Sequence, residues 1–366
     1  MTLLGTHPGL SNADLARLSG LGAQTTSRIV ADLEARGLIR RGEVLRGRRG
    51  QPATPLFIDP QGGFVFGIEL GWRHLEVLLR GMGGPNLMSH RSGYDWPDAT
   101  DQVAEIVAVI KQMQEKMTPL QRERTLGIGI ATPTDIHRSI ERLGAPPEQA
   151  RLWKDLALEK ALSDATGLEV NWYNDGTAAC WAELIAHPQP RPRNFAYLQV
   201  GTYIAAGILM EGKLWEGLHG DAGNLGSIVI AGTDGKPTYA HLVGTLEALN
   251  DKLREGGRRL PCGNPVDWDW ETLEPELTPW LDAAGSALAQ TMLSTQAVTE
   301  INTVILDSVM PRAMLERLAE RVRHHIAALP EILASKAQVT LGRVGASASA
   351  MGAAQLLLHR RFFLAS

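Results

Sequence analysis

Residues 23–36, AQTTSRIVADLEAR, have the spacing of a helix with two unlike faces. Thr26, Ile29, Val30 and Leu33 fall on one face and are expected to pack inward. Gln24, Thr25 and Arg28 fall opposite them, with Ser27 beside them near the helix start. Short polar side chains at the start of a helix can reach base edges in a DNA major groove, and an arginine can bond guanine through two hydrogen bonds. The run LIRRGEVLRGRRGQP adds Arg40, Arg41, Arg46, Arg48 and Arg49, which suit phosphates or a minor groove. Far along the chain, Asn174 and Asp175 form a polar turn. Residues 222–249, AGNLGSIVIAGTDGKPTYAHLVGTLEAL, have the glycine rhythm of a loop that holds a ligand, with Glu247 near the end. The same rhythm fits a turn-rich connection. The loop has no cysteine, and its single histidine, His241, has no partner at ligand spacing.

The elements that would position these residues can be read around them. Ser11 or Asn12 can cap a short helix carrying Leu15 and Leu18 on one face. The glycines of SGLG then allow a tight turn into the helix at Ala23, which stops at Gly37. A β-hairpin wing follows. This is a helix-turn-helix with a wing; a small helical bundle for protein contact is the alternative. Only TLLGTHPGL precedes the motif, which leaves little chain for a first helix.

Charge separates this head from the rest. Residues 1–52 hold eight Arg, no Lys and four acidic residues, a net charge of +4. The remainder holds 28 basic and 36 acidic residues, a net charge of −8. A basic head on an acidic body points to a polyanionic partner for the head. No basic start followed by a long apolar run marks a signal peptide, and no apolar stretch approaches the roughly 20 residues of a membrane span. Cys180 and Cys262 stand far apart, without metal or redox spacing. A cytoplasmic protein is expected, with no membrane association.

After Pro60 the texture changes. GGFVFGIELGWRHLEVLLRGMGG reads as strand, glycine turn and strand, and FAYLQVGTYIAAGILMEGKLWEG repeats that theme. TLGIGIATPTDI reads as a buried strand, and LEVNWYNDGTAACWAELIA as strand, polar turn and helix. A mixed α/β sheet appearing twice implies two related lobes with a cleft between them.

These segments resemble the ROK family of bacterial sugar-responsive repressors and sugar kinases. NDGTAACWAE is similar to the family's asparagine–aspartate turn and helix, GTYIAAGILMEGKLWEG to its second glycine turn, and DAAGSALAQTMLSTQAVTEINTVILDSVMP to its late helix and strand. The head resembles the winged helix of the family's repressor branch. The resemblance implies an α/β chain: a winged helix-turn-helix over residues 1–60, then a two-lobed actin-like, ribonuclease-H-like domain over 61–366. Within the latter, a small lobe would take about 61–178 plus the C-terminal helix, and a large lobe about 179–345.

The resemblance also gives residues 222–249 a reading. The family pattern there is Ala-Gly-Glu-x-Gly-His followed by a cysteine-rich run closed by Glu, holding a structural zinc and contacting sugar hydroxyls. Asn224 stands in place of the first Glu and Ser227 in place of the His; Thr238, Ala240 and Thr245 stand at the three cysteines, and Glu247 keeps the last position. No metal and no cofactor are therefore expected, and packing and turns must hold the loop. The effector pocket implied is Asn174, Asp175, Asn224, Ser227 and Glu247. With one carboxylate and one imidazole gone it should be less acidic and roomier, so a sugar acid or substituted sugar fits it better than plain glucose.

A kinase of this family needs open glycine turns for metal and phosphates. Here GIELGWRH puts Glu69 in place of Asp and crowds the turn with Trp72, Arg73 and His74. GTYIAAG puts Tyr203 and Ile204 where amides should lie open, and VILDSVMP lacks the glycines that admit a nucleotide. The expectation is a non-enzymatic DNA-binding transcriptional regulator, a repressor, acting as a homodimer on a double-stranded DNA operator and sensing a sugar-like effector. A sugar kinase with an appended head, or a DNA-binding protein with an inert effector lobe, remain the alternatives.

Overall fold

The computed structural model describes residues 1–43, 54–218, 220, 222–330 and 337–363. The head begins with α1 (Thr2–Thr6), a five-residue helix that buries Leu4, followed by α2 (Asn12–Ser19) and α3 (Ala23–Ala35). Ser11 starts α2 through a capping box: its hydroxyl accepts the Asp14 N–H at 3.2 Å, and the Asp14 carboxylate accepts the Ser11 N–H at 3.1 Å. Gly20 ends α2 with a positive φ of 72°, which glycine adopts without a Cβ clash. Strands β1 (Ile39–Arg41) and β2 (Leu56–Ile58) pair antiparallel, Arg40 opposite Phe57, and form the base of the wing. Arg46, Arg48 and Arg49 lie outside the described residues.

The head's core differs from the helical-face expectation in two places. Leu4, Leu15, Val30, Ile39 and Leu56 form it, with Thr26 buried and Leu33 half-buried. Leu18 is 44% exposed and Ile29 42% exposed. The stripe of α3 that meets α2 and the hairpin is one residue wide per turn, and Ile29 falls beside it.

The body holds two sheets of the same design. The first comprises β3 (Phe64–Leu70), β4 (His74–Gly81), β5 (Asn86–Gly93), β6 (Thr125–Thr132) and β7 (Val170–Asn174), in the order β5-β4-β3-β6-β7. The second comprises β8 (Phe195–Val200), β9 (Ile204–Met210), β10 (Lys213–Leu214), β13 (Thr303–Ser308) and β14 (Gln338–Leu341), in the order β10-β9-β8-β13-β14. In each, two hairpins make three antiparallel strands and two further strands add in parallel. Between β10 and β13 the small hairpin β11 (Val229–Ala231) with β12 (Pro237–Tyr239) stands apart. β3, β8 and β13 are buried along nearly their whole lengths, which accounts for their continuous apolar sequence.

Helices cover these sheets. The first carries α4 (Ala99–Lys116), α5 (Pro119–Glu123), α6 (Ile136–Ser139), α7 (Pro147–Asp155) and α8 (Leu158–Thr166). α9 (Asp175–Ala186) packs on β8 and β9 of the second sheet. The second lobe adds α10 (Leu246–Glu255), α11 (Leu277–Thr299) and α12 (Arg312–Ala328), with Trp280 of α11 fully buried and its indole N–H donating to the Thr245 carbonyl at 2.9 Å. The last helix, α13 (Ala348–Phe362), returns to pack on β3 and β6 and crosses α9. That crossing is tight: a Cβ added to Gly352 would sit 1.7 Å from the Ala178 carbonyl oxygen. No described helix is long and apolar enough to cross a membrane.

The head rests on the first lobe. Leu38 joins Val65, Leu78 and Met82 of that lobe, and Ala350, Ala354, Leu357 and Leu358 of α13, in one buried cluster. The Thr2 hydroxyl donates to the Phe363 carbonyl at 2.9 Å, and the Phe363 ring covers Gly5.

Candidate functional site

The nucleic-acid face is set by the head's packing. Burial of Thr26 and Val30 turns Gln24, Thr25, Ser27 and Arg28 outward, and all four are exposed. Ser27 accepts a hydrogen bond from the Asn12 side chain at 3.3 Å. Two wing arginines are engaged within the head. Arg41 grips Glu34 of α3 with two bonds of 2.7 Å, and the Arg40 guanidinium lies 5.3 Å from the centre of the Phe57 ring. The Arg41–Glu34 fork ties the hairpin to α3, so helix and wing form one unit.

A second site lies where the lobes face each other. A cavity of about 230 Å³ is lined by Arg142, Tyr203, His241, Thr245, Glu247 and Asp251, among others. Glu247 sits in the first turn of α10, buried at 7% side-chain exposure. Its Oε2 accepts from Arg73 of the first lobe's glycine turn at 2.8 Å, and its Oε1 accepts from Asn250 at 3.2 Å and Arg254 at 2.9 Å. Arg254 also reaches Asp251 at 2.9 Å. Beside this ion pair Trp72 meets Tyr203 edge-on at 5.0 Å, and Tyr203 meets His241 edge-on at 5.9 Å. The two glycine turns therefore touch through the Trp72–Tyr203 contact, and the first turn also reaches α10 through the Arg73–Glu247 pair.

His241 has a defined place. Its Nδ1 accepts the Ile204 N–H at 3.3 Å, so Nε2 carries the proton and donates to Asn224 Oδ1 at 3.2 Å. Its ring lies against Gly226, where an added Cβ would come within 2.3 Å. Burial pulls its pKa down to about 4, which keeps it neutral near pH 7.

Of the five residues the resemblance assigns to the pocket, Glu247 lines this cavity; the other four stand outside its lining. Asn224 is exposed and bonded to His241, and Ser227 is exposed at the end of a short 3₁₀ turn. Asn174 caps α9: its Oδ1 accepts the Thr177 N–H at 3.0 Å, and its Nδ2 donates to Thr134 and to Asp175 at 3.1 Å each. Asp175 also accepts the Gly176 N–H at 2.7 Å. Arg142, Asp251 and Arg254 were not singled out from the sequence. Three of the residues around Glu247 had a signal there: Asn250, Asp251 and Arg254 follow it by three, four and seven positions, on one helix face. Arg142 comes from the 3₁₀ turn Ile140–Leu143 and had none.

The family's zinc position does not fit the ion. Ser227, Thr238, Ala240 and Thr245 offer neither thiolate nor imidazole, and the nearby His241 is committed on both nitrogens. Among the described residues no group of three or more His, Cys, Asp or Glu could hold a metal.

The first lobe's glycine turn buries two further carboxylates. Glu69 and Glu76 stand opposite each other across β3 and β4. Glu76 accepts from the Ser347 hydroxyl at 2.7 Å and from Arg91 at 3.0 Å, and His74 Nε2 lies 3.4 Å from Glu69. Burial, then the neighbouring Glu69 charge, raises the Glu76 pKa.

Comparisons with known proteins agree with this architecture. A MarR family model matches residues 2–50, and a model described as ROK family matches residues 65–265, more than half of the chain. An uncharacterized protein of Sinorhizobium fredii, y4fQ, is 24% identical over 362 residues, covering 99% of this chain and 90% of its own length. A xylose repressor of Bacillus spizizenii is 24% identical over 226 residues, 60% of this chain; the match spans 56% of the repressor. Among solved structures, a ROK family transcriptional regulator described as a homolog of the E. coli Mlc protein superposes with a TM-score of 0.68 at 20% identity, over 97% of this chain and 93% of that one. A ROK hexokinase from Thermus thermophilus superposes with a TM-score of 0.55 at 21% identity, over 80% of this chain and 96% of that one. With two matching sheets, a cleft between their glycine turns and a winged helix at the head, the chain belongs to the ROK family, in the repressor branch that carries an N-terminal winged helix.

Proposed function

We propose that this chain is a DNA-binding transcriptional repressor whose two-lobed body senses a small polar effector in the cleft. The observation that carries this reading is the head itself. Gln24, Thr25, Ser27 and Arg28 stand exposed at the start of α3, on a domain with a net charge of +4 over residues 1–52. In the major groove these four would read base edges, while Arg46, Arg48 and Arg49 would meet the backbone or minor groove. The similarity to xylose repressors over about 60% of the chain supports a repressor over an activator.

Coupling follows from α13. Its start adjoins Ser347, whose hydroxyl holds Glu76 beside the first glycine turn, and its end adjoins Phe363, which covers α1 of the head. In between it crosses α9, which begins at Asp175. An effector that changes the lobe angle would move this helix and so the head. In a homodimer, two heads would change their spacing on a two-fold operator. Asn174, Asp175, Asn224 and Ser227, which stand outside the cavity lining, would join the Glu247 pocket when the lobes rearrange.

A sugar kinase with an appended head is the competing reading. The Trp72–Tyr203 contact argues against it, because it fills the space between the turns where phosphates would have to lie. The test is DNA retention from fragmented genomic DNA, followed by anisotropy titration of the recovered duplex. Specific binding in the usual range of roughly 10⁻⁸ to 10⁻¹¹ M at physiological salt is expected. Sugar-dependent ADP release with no preferred duplex would reverse the reading.

A further inference from the structure

We infer that the cleft effector is a polyhydroxy monocarboxylate, of the aldonic or uronic acid class, whose carboxylate is taken by Arg142. This rests on the effector-sensing reading of the body and specifies its ligand. The cavity's carboxylates are already paired with arginines. Glu247 receives Arg73, Asn250 and Arg254, and Asp251 receives Arg254. Two carboxylates are thus served by two arginines before any ligand arrives. The donors are not all committed. Arg142 lines the cavity and has no hydrogen-bond or ion-pair partner among the described residues. Tyr203 also lines it, and its hydroxyl is buried without a hydrogen-bond partner among the described residues.

A buried hydroxyl without a partner is costly, so its position is explained if a ligand acceptor completes it. A neutral sugar would leave the Arg142 charge without a counter-ion, because the two carboxylates of the lining already face Arg73 and Arg254. A carboxylate supplies acceptor oxygens only, and its bond to a guanidinium is charge-assisted and can be two-pronged. The tyrosine stays protonated as a donor, because burial pushes its pKa up to about 12. His241 adds no charge to the site, being neutral with its proton turned to Asn224. The volume of about 230 Å³ falls below the roughly 300–1,000 Å³ of pockets for larger ligands, so one ring-sized molecule is the limit.

The experiment titrates the full chain by calorimetry with gluconate, glucuronate, galacturonate and xylonate, each beside its neutral aldose. At least one acid should bind at least tenfold more tightly than its neutral partner. Arg142→Ala should remove that preference, Arg142→Lys should restore part of it, and Tyr203→Phe should weaken the acid severalfold. Arg142 is exposed, so its variants should fold, and thermal melting checks this. Binding of neutral sugars as tight as of acids, an acid preference unchanged in Arg142→Ala, or no acid bound at all would each overturn the inference. Anisotropy on the recovered duplex runs in parallel. DNA binding without an acid ligand leaves the regulator standing and removes this ligand class; loss of specific DNA binding removes the regulator reading itself.

Discussion

Replacing Gly352 by alanine tests the contact on which coupling depends. Gly352 lies in α13 where that helix crosses α9, and the new methyl would sit 1.7 Å from the Ala178 carbonyl oxygen and 2.3 Å from its carbon. Both obstacles are backbone, so no side-chain rotation relieves the clash. A normal contact needs about 3.4 Å or more, so the helices must part by more than roughly 1 Å in a core packed like a crystal. Overpacking of this kind costs about 1–3 kcal/mol, and rigid backbone places this site at the upper end. The gain from a better helix former returns only about 0.5–1 kcal/mol. A net loss near 2 kcal/mol is expected. At roughly 2–4 °C per kcal/mol, the melting temperature should fall by about 4–8 °C. The assay is thermal unfolding followed by circular dichroism, beside anisotropy on the recovered duplex below the transition. If α13 carries the signal, the folded variant should also answer its effector more weakly. A variant as stable as the parent would refute the close crossing, and with it the mechanical route proposed through α13.

Arg28→Ala should cost about 1–3 kcal/mol of specific DNA binding and relax one base position, whereas Arg48→Ala should weaken all sequences alike and lower the salt slope by about one unit; unchanged binding in both would exclude this docking. Elemental analysis of protein purified without added metal should give well under one zinc per chain, and a stoichiometric, chelator-resistant zinc would overturn the loop alignment. His241 has a folded pKa of about 4 against an ordinary 6.5, so its contribution to stability is fully present above pH 6.5 and is lost as pH falls toward 4, by at most about 3 kcal/mol. Denaturant titrations of the parent and His241→Gln should therefore converge between pH 7 and pH 5; a constant gap would mean that the ring is not desolvated.

What the sequence shows and what it hides follow from the range of the forces involved. The helix at Ala23 is legible because its apolar spacing and the glycines around it are local, and it ends within a residue of where the spacing puts it. The repeated sheet is legible because each hairpin carries its own glycine turn between apolar runs. Leu18 and Ile29 are misread because a periodic pattern says which face is apolar and not how wide a partner covers it. The cleft is legible only in part. Glu247 can be found from its loop, but Arg73 meets it from 174 positions away, and no spacing rule spans that distance. The same holds for Arg142, which a 3₁₀ turn of the other lobe delivers to the cavity.

The loop at residues 222–249 is held by neutral groups where the family pattern places metal ligands. Thiolates and imidazole around a zinc would fix such a loop by coordination. Here His241 does comparable work with neutral groups. One nitrogen accepts from the backbone of β9, the other donates to Asn224, one ring face lies on Gly226, and Tyr203 meets it edge-on. The contacts to Ile204 and Tyr203 join the loop to the second glycine turn and β9, and those to Asn224 and Gly226 hold the loop to itself. Each net hydrogen bond is worth about 1 kcal/mol, so the staple holds far less strongly than a metal site at roughly 10–16 kcal/mol. The loop is correspondingly cheaper to rearrange. Asn224 and Ser227 lie on this loop, outside the cavity lining. A tetrahedral zinc would oppose rearrangement of the loop; a neutral histidine held by two hydrogen bonds resists it less.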